Sequence, residues 1–175
     1  CGVGAPGRRL RHQQQGRHRG ALDRREHRDD DEGDLEEVEE ERAIENYDEA
    51  IKLNPGEAVF YHNRGNAYGN KRDFDRAIAD HSQAIKLNPN YAMAFNDRGL
   101  AYGAKGESER AVADFDQAAK LNPKSAMVFY NRDLTLKSRG EIDRAIGDFD
   151  TAIRLNPGYT AALYARGNAH LDRKS

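Results

Sequence analysis

Four arginines, Arg64, Arg98, Arg132 and Arg166, recur every 34 residues. A row of guanidinium groups on one surface could hold phosphates. Acids recur with the same period. Asp80, Asp114 and Asp148 stand four residues after Arg76, Arg110 and Arg144, and Asp48, Asp116 and Asp150 stand four before Lys52, Lys120 and Arg154. At that spacing on a helix, opposite charges pair, so the expectation is a solvated, internally compensated lattice rather than an anion site. Asp114/Asp116 and Asp148/Asp150 have the chemistry of metal ligands, but residues two apart on a helix do not face each other. His81 stands on an apolar stripe and is expected as a half-buried core histidine, whose protonation would weaken the fold below about pH 6. His12, His18 and His27 match no ligand spacing. The chain has no Gly-rich phosphate loop, nucleophile elbow or HExxH motif. No catalytic residue, metal ligand or cofactor is expected.

The composition narrows the classes further. The 175 residues carry a formal net charge of −2, with a third of them charged and 37% hydrophobic. Near-neutrality disfavours nucleic acid and anionic membranes as partners. One Cys excludes an internal disulfide framework. No apolar run approaches the roughly 20 residues that span a bilayer. The charge is strongly segregated. Residues 1–28 hold eight Arg against two acids, and residues 29–41 hold ten acids and no base. Such apolar-poor, like-charged chain cannot offset the entropy of ordering, so residues 1–34 are expected to be a disordered segment. The acidic stretch from Leu35 could extend a following helix at its N-terminal end.

From residue 42 the chain repeats. LNPG, LNPN, LNPK and LNPG place prolines at 55, 89, 123 and 157, each interval being 34 residues. A fixed period of this size means stacked repeat units. In the unit 58–91, Tyr61, Gly65 and Tyr68 share one face of a first helix. Phe74, Ala77, Ile78, His81, Ala84 and Ile85 form the apolar stripe of a second helix. GNKRD between them reads as a turn. Asn88-Pro89 ends the second helix, because proline disfavours helical geometry in the residue before it. Gly65 and Gly99, with Ala77 and Ala111, allow the two helices of a hairpin to approach closely. The fold class is therefore all-α: an α-solenoid of stacked helix-turn-helix hairpins.

The period, the aromatic–Gly–Tyr spacing (Tyr61, Gly65, Tyr68; Phe95, Gly99, Tyr102), the spacing Ala111, Phe115, Ala118 and Ala145, Phe149, Ala152, and the closing Pro resemble the tetratricopeptide repeat family, of bacterial type. The resemblance implies a right-handed superhelix over 35–175. It consists of a half repeat at 42–57, full repeats at 58–91, 92–125 and 126–159, and a half repeat at 160–175. Asp133 departs from the pattern, standing where Gly65 and Gly99 stand, and Leu136 replaces the Tyr. A carboxylate at a close helix contact is costly unless paired, so this hairpin is expected to be the weakest unless Asp133 meets an Arg. The first helix that should precede residue 42 is missing, and 24–41 reads either as an acidic tail or as out-of-frame sequence.

The resemblance also implies function: a non-catalytic scaffold that holds another protein or a peptide in a groove lined by the first helices. The positions this assigns are His62, Asn63, Asn66, Met93, Asn96, Asp97, Leu100, Met127, Tyr130, Asn131, Leu134, Tyr164 and Asn168. Val59, Ala161 and Ala165 complete the rows. Asn63, Asp97 and Asn131 resemble the asparagine ladder in the repeats of O-linked N-acetylglucosamine transferases. The carboxylate-clamp subclass, which needs Lys, Asn and Arg on successive first helices, does not fit His62, Asn66, Asp97, Met127 and Asn131. Twenty bases against eighteen acids over 42–175 disfavour the RNA-reading pentatricopeptide family. The alternative reading is a fragment of a larger enzyme or of an assembly or transport protein, for example a glycosyltransferase-like or lipoprotein component. Helix 160–172 could support self-association. The expected compartment is cytoplasmic, with a membrane-anchored or periplasmic lipoprotein through Cys1 as the alternative.

Overall fold

The computed structural model describes residues 38–173, and the reading of 1–34 as disordered lies outside them. The chain divides into two units, Cys1–Glu39 and Glu40–Ser175, and the second carries the array. Helix α1 runs through 38–53. Seven more follow: α2 (Ala58–Asn70), α3 (Phe74–Leu87), α4 (Ala92–Ala104), α5 (Ser108–Leu121), α6 (Ala126–Ser138), α7 (Ile142–Leu155) and α8 (Thr160–Asp172). They form the hairpins α2–α3, α4–α5 and α6–α7, and each second helix also packs against the next first helix. No described helix is long and apolar enough to cross a membrane.

The Asn-Pro pairs end the second helices as expected. Asn88, Asn122 and Asn156 have φ near −135° (−134, −133 and −138) and ψ of 92, 80 and 92, an extended backbone that breaks the helix. The Asn88 and Asn156 side chains then accept from the backbone N–H two residues on, at 3.1 and 3.2 Å. The turns inside the hairpins need a left-handed residue at positions 72, 106 and 140. Gly106 and Gly140 supply it with φ of 79° and 78°, but Arg72 holds φ 59° with a side chain. Arg72→Gly is expected to stabilise the array by about 0.5–1 kcal/mol, since an L side chain is strained there. Chemical denaturation would read this as a higher midpoint with an unchanged slope.

Small residues make the core. Ala77, Ala84, Ala111, Ala118, Ala145 and Ala152 are fully buried, and the rings of Phe115 and Phe149 fill the space beside them. A Cβ built on Gly65 would meet His81 Cε1 at 2.8 Å, and one on Gly99 would meet Phe115 Cε1 at 2.8 Å. These glycines are required by close approach, each opposite a ring sixteen residues on. His81 is buried outright rather than half-buried, and its Nδ1 has no hydrogen-bond partner.

The charged residues correct the expected i,i+4 lattice. Arg64 grips Asp80 through Nε and Nη2, both at 2.7 Å, and reaches Asp48 through Nη1. Arg98 grips Asp114 at 2.7 and 2.8 Å, and Arg132 grips Asp148 at 2.7 and 2.6 Å and reaches Asp116. Each of these three arginines thus ties the second helix of its own repeat, sixteen residues ahead, to that of the previous repeat, sixteen behind. Ser82 stands where Asp48 and Asp116 stand, and takes the Arg98 Nη1 bond at 3.0 Å. Arg76, Arg110 and Arg144 pair instead with Asp73, Glu107 and Glu141 at the helix starts. Asp80, Asp114 and Asp148 are buried, not solvated. A planar fork meets a carboxylate bidentately, which a helix-surface pair cannot match for strength.

Candidate partner-binding face

Successive first helices touch one another, α2 against α4 and α4 against α6, and no comparable contact joins α3 to α5 or α5 to α7. The first helices therefore line the inner face of the array. Two apolar rows stand open on it. Val59, Met93 and Met127 form one, with Ala161 exposed at its end, and Leu100 and Leu134 form the other, flanked by half-buried Asn66 and Asn168. Seven residues separate the members of the two rows on each helix, so both lie on one stripe. Between them runs the half-buried row Asn63, Asp97, Asn131 and Ala165.

The row one residue earlier departs from expectation. His62 is 2% exposed and Asn96 is 1% exposed, so neither presents its side chain to a partner. Both are held in a network that crosses three helices. His62 Nε2 lies 2.7 Å from Asp97 Oδ2, and Tyr91 Oη lies 3.2 Å from His62 Nδ1. Asn96 Nδ2 donates to Asp97 Oδ1 at 2.8 Å, and Asn131 Nδ2 donates to Asn96 Oδ1 at 3.0 Å. Burial favours the neutral form of Asp97, but the bonds from His62 and Asn96 outweigh it and hold the carboxyl below its usual range. The network ties α2, α4 and α6 together along the inner face. Tyr130 in the same row is half-buried against Tyr159, with ring centroids 5.0 Å apart. Tyr164 is 73% exposed.

The pairing of His62 with Asp97 spans 35 residues, one more than the repeat. Asn131 and Asn96 repeat that offset. The sequence carried the signal in its period, since a residue on one first helix meets the residue one period and one position later on the next. Tyr91, which ends the first full repeat and completes the histidine's partners, had no motif to mark it.

Residues 58–91, 82–113 and 134–175 match models described as tetratricopeptide repeat, and residues 39–71 match one described as TPR repeat. The chain belongs to the tetratricopeptide repeat family. The family and its fold are modules of protein–protein interaction. This tetratricopeptide repeat array is similar to the crystal structure of MamA, with a TM-score of 0.71 and 25% identity over 75% of this chain and 77% of that one. It shares its fold with the Arabidopsis OM64 TPR domain, with a TM-score of 0.64 and 23% identity over 66% of this chain and 95% of the other. The same holds for the first TPR of Spaghetti (RPAP3), solved with the HSP90 peptide SRMEEVD, with a TM-score of 0.67 and 19% identity over 68% and 94% of the two chains. No curated protein matches the chain.

Proposed function

We propose that the array is a non-catalytic scaffold that holds an apolar peptide or partner helix along its inner face. The observation that carries this is the stripe Val59, Met93, Leu100, Met127 and Leu134, five exposed apolar side chains aligned on three helices beside the polar residues Asn63, Asp97 and Asn131. Apolar anchors supply the affinity, and Asn63 and Asn131 supply donors and acceptors for a peptide backbone. Methionine adapts its shape to different anchors. The face holds no Lys or Arg in these rows, and Asp97 stands in its middle. A peptide ending in acidic residues, of the kind in the Spaghetti complex, is therefore repelled, and an uncharged or basic apolar segment is favoured. The expected setting is the cytoplasm.

The test uses a peptide selected on the wild-type array from a random library. Asn63→Ala with Asn131→Ala should weaken its binding about tenfold, equivalent to about 1.4 kcal/mol, with helicity retained. Unchanged affinity would remove the site assignment.

A further inference from the structure

Asp97 differs from the other acids held inside the array. Asp80, Asp114 and Asp148 are each met by the fork of an arginine. No bond from a lysine or arginine among the described residues reaches Asp97, whose partners are His62 and Asn96. Its neighbour Arg98 is committed to Asp114 and Ser82. One neutral tautomer of His62 satisfies its surroundings at once: Nε2–H donates to Asp97, and Nδ1 accepts from the Tyr91 hydroxyl. The ring of His81, its centroid 5.5 Å from that of His62, is kept neutral by burial, which lowers its pKa to about 4. With His62 neutral, the cluster of His62, His81, Tyr91, Asn96 and Asp97 therefore carries one uncompensated negative charge.

That charge is open to a partner. The Asp97 side chain is 20% exposed, and its two hydrogen bonds use about half of the acceptor sites of a carboxylate. Exposed Met93 stands one turn before it on α4, and exposed Leu100 one turn after. Asn63 on α2 and Asn131 on α6, one period away on either side, are half-buried and uncharged. An occupant that covers Met93 and Leu100 therefore also covers Asp97. A wholly apolar one strips water from a carboxylate and returns no partner to it, which costs free energy. A lysine or arginine side chain has the complementary build, an apolar stem with a charged head.

We propose that the partner segment held on the inner face carries a lysine or arginine that pairs with Asp97, its stem lying against Met93 or Leu100. This rests on the reading of the inner face as the partner-binding surface, and it selects the basic segment from the uncharged and basic ones which that reading admits. The rows present one carboxylate, so the match is to a single cation flanked by apolar residues rather than to a polybasic run.

Parallel selection tests this. A random peptide library is panned on the wild-type chain and on Asp97→Asn. Both pools should be rich in apolar residues, and only the wild-type pool should hold a lysine or arginine at one fixed position. A peptide from the wild-type pool is then titrated with its basic residue intact and with norleucine in its place. On the wild type, norleucine should weaken binding about fivefold, the weight of a partly desolvated ion pair. Added salt should weaken the basic peptide alone. On Asp97→Asn the two peptides should bind equally. Asn63→Asp keeps the proposal testable if Asp97→Asn loosens the seam between α2 and α4. Asn63 makes none of the network's bonds, and a second carboxylate one period away should draw a second basic residue into its pool. Apolar pools without the basic residue, basic residues unchanged in the Asp97→Asn pool, or a norleucine peptide that binds the wild type as tightly as the basic one would overturn the pairing and leave the inner-face reading standing. Pools with no apolar enrichment would overturn that reading and the pairing with it.

Discussion

Replacing Asp133 by glycine raises the stability of the array at pH 7 by about 2 kcal/mol, because it removes a buried, unsatisfied carboxyl. Asp133 is 0% exposed, and neither of its side-chain oxygens has a hydrogen-bond partner. The pairing with an arginine that would rescue it does not occur, since Arg132 is taken by Asp148 and Asp116. Burial, with the charge of Asp148 adding to it, pushes the carboxyl up to about 9. Glycine is accommodated at the same place in the two preceding hairpins, and its propensity cost in a helix, about 1 kcal/mol against alanine, is smaller than the gain. The pH dependence has a definite sign. The folded carboxyl titrates far above the unfolded one, so below about pH 4 only the cost of burying an unpaired neutral carboxyl remains, and further stability is lost as pH rises from there towards 9. The advantage of Asp133→Gly should therefore be largest in alkali and smallest near pH 4. Urea denaturation of both proteins across that range checks it.

His81 acts in the opposite direction over part of the same range. Burial lowers its pKa to about 4, so the ring is neutral in the folded state, and its stability contribution is present above about pH 6.5 and lost as pH falls towards 4. Between pH 6.5 and 4 the two groups offset one another. A flat wild-type profile there is the expected result, and His81→Phe should tilt it, with stability rising as the pH falls. Phenylalanine suits the site, since Phe115 and Phe149 occupy it in the neighbouring repeats.

Arg98→Met should lower stability by about 3 kcal/mol, the cost of stranding a buried charge. Its guanidinium lies between the rings of Phe95 and Tyr102, at 5.6 and 5.8 Å from their centroids, and makes both bonds that satisfy Asp114. Removing Arg98 leaves Asp114 buried without that fork. Replacing both by apolar residues, Arg98→Met with Asp114→Leu, should recover most of the loss, because the penalty resides in the stranded charge rather than in the missing attraction. A double-mutant cycle by denaturation measures the coupling directly.

These two sites mark the limit of what could be read from the sequence. The 34-residue period, the Asn-Pro stops and the small-residue contacts were legible because each depends on local backbone rules. Asp133 was legible as a conflict because it broke a repeated glycine. The arginine clamps were not, although every member was in view. Asp114 has a base four residues away on its own helix, Arg110, as well as one sixteen away on a packed helix, Arg98, and only the packing decides between them. A bidentate contact across a buried interface outcompetes a solvated i,i+4 pair. The same holds on the inner face. His62 and Asn96 share a helix face with exposed residues in the periodicity, yet they turn into the seam between first helices, where Asp97 and Asn131 receive them. Exposure at that seam depends on how closely α2, α4 and α6 approach.

The methionines offer the sharpest probe of the inner face. The chain has two, Met93 and Met127, and both are exposed there. Labelled at their methyl carbons, they give a two-peak spectrum with no other methionine signal. Titration with a peptide selected on the array should move or broaden both peaks together, with the same apparent affinity as the binding curve. A peptide that binds while both methyl signals stay in place would contradict the inner face as the binding site.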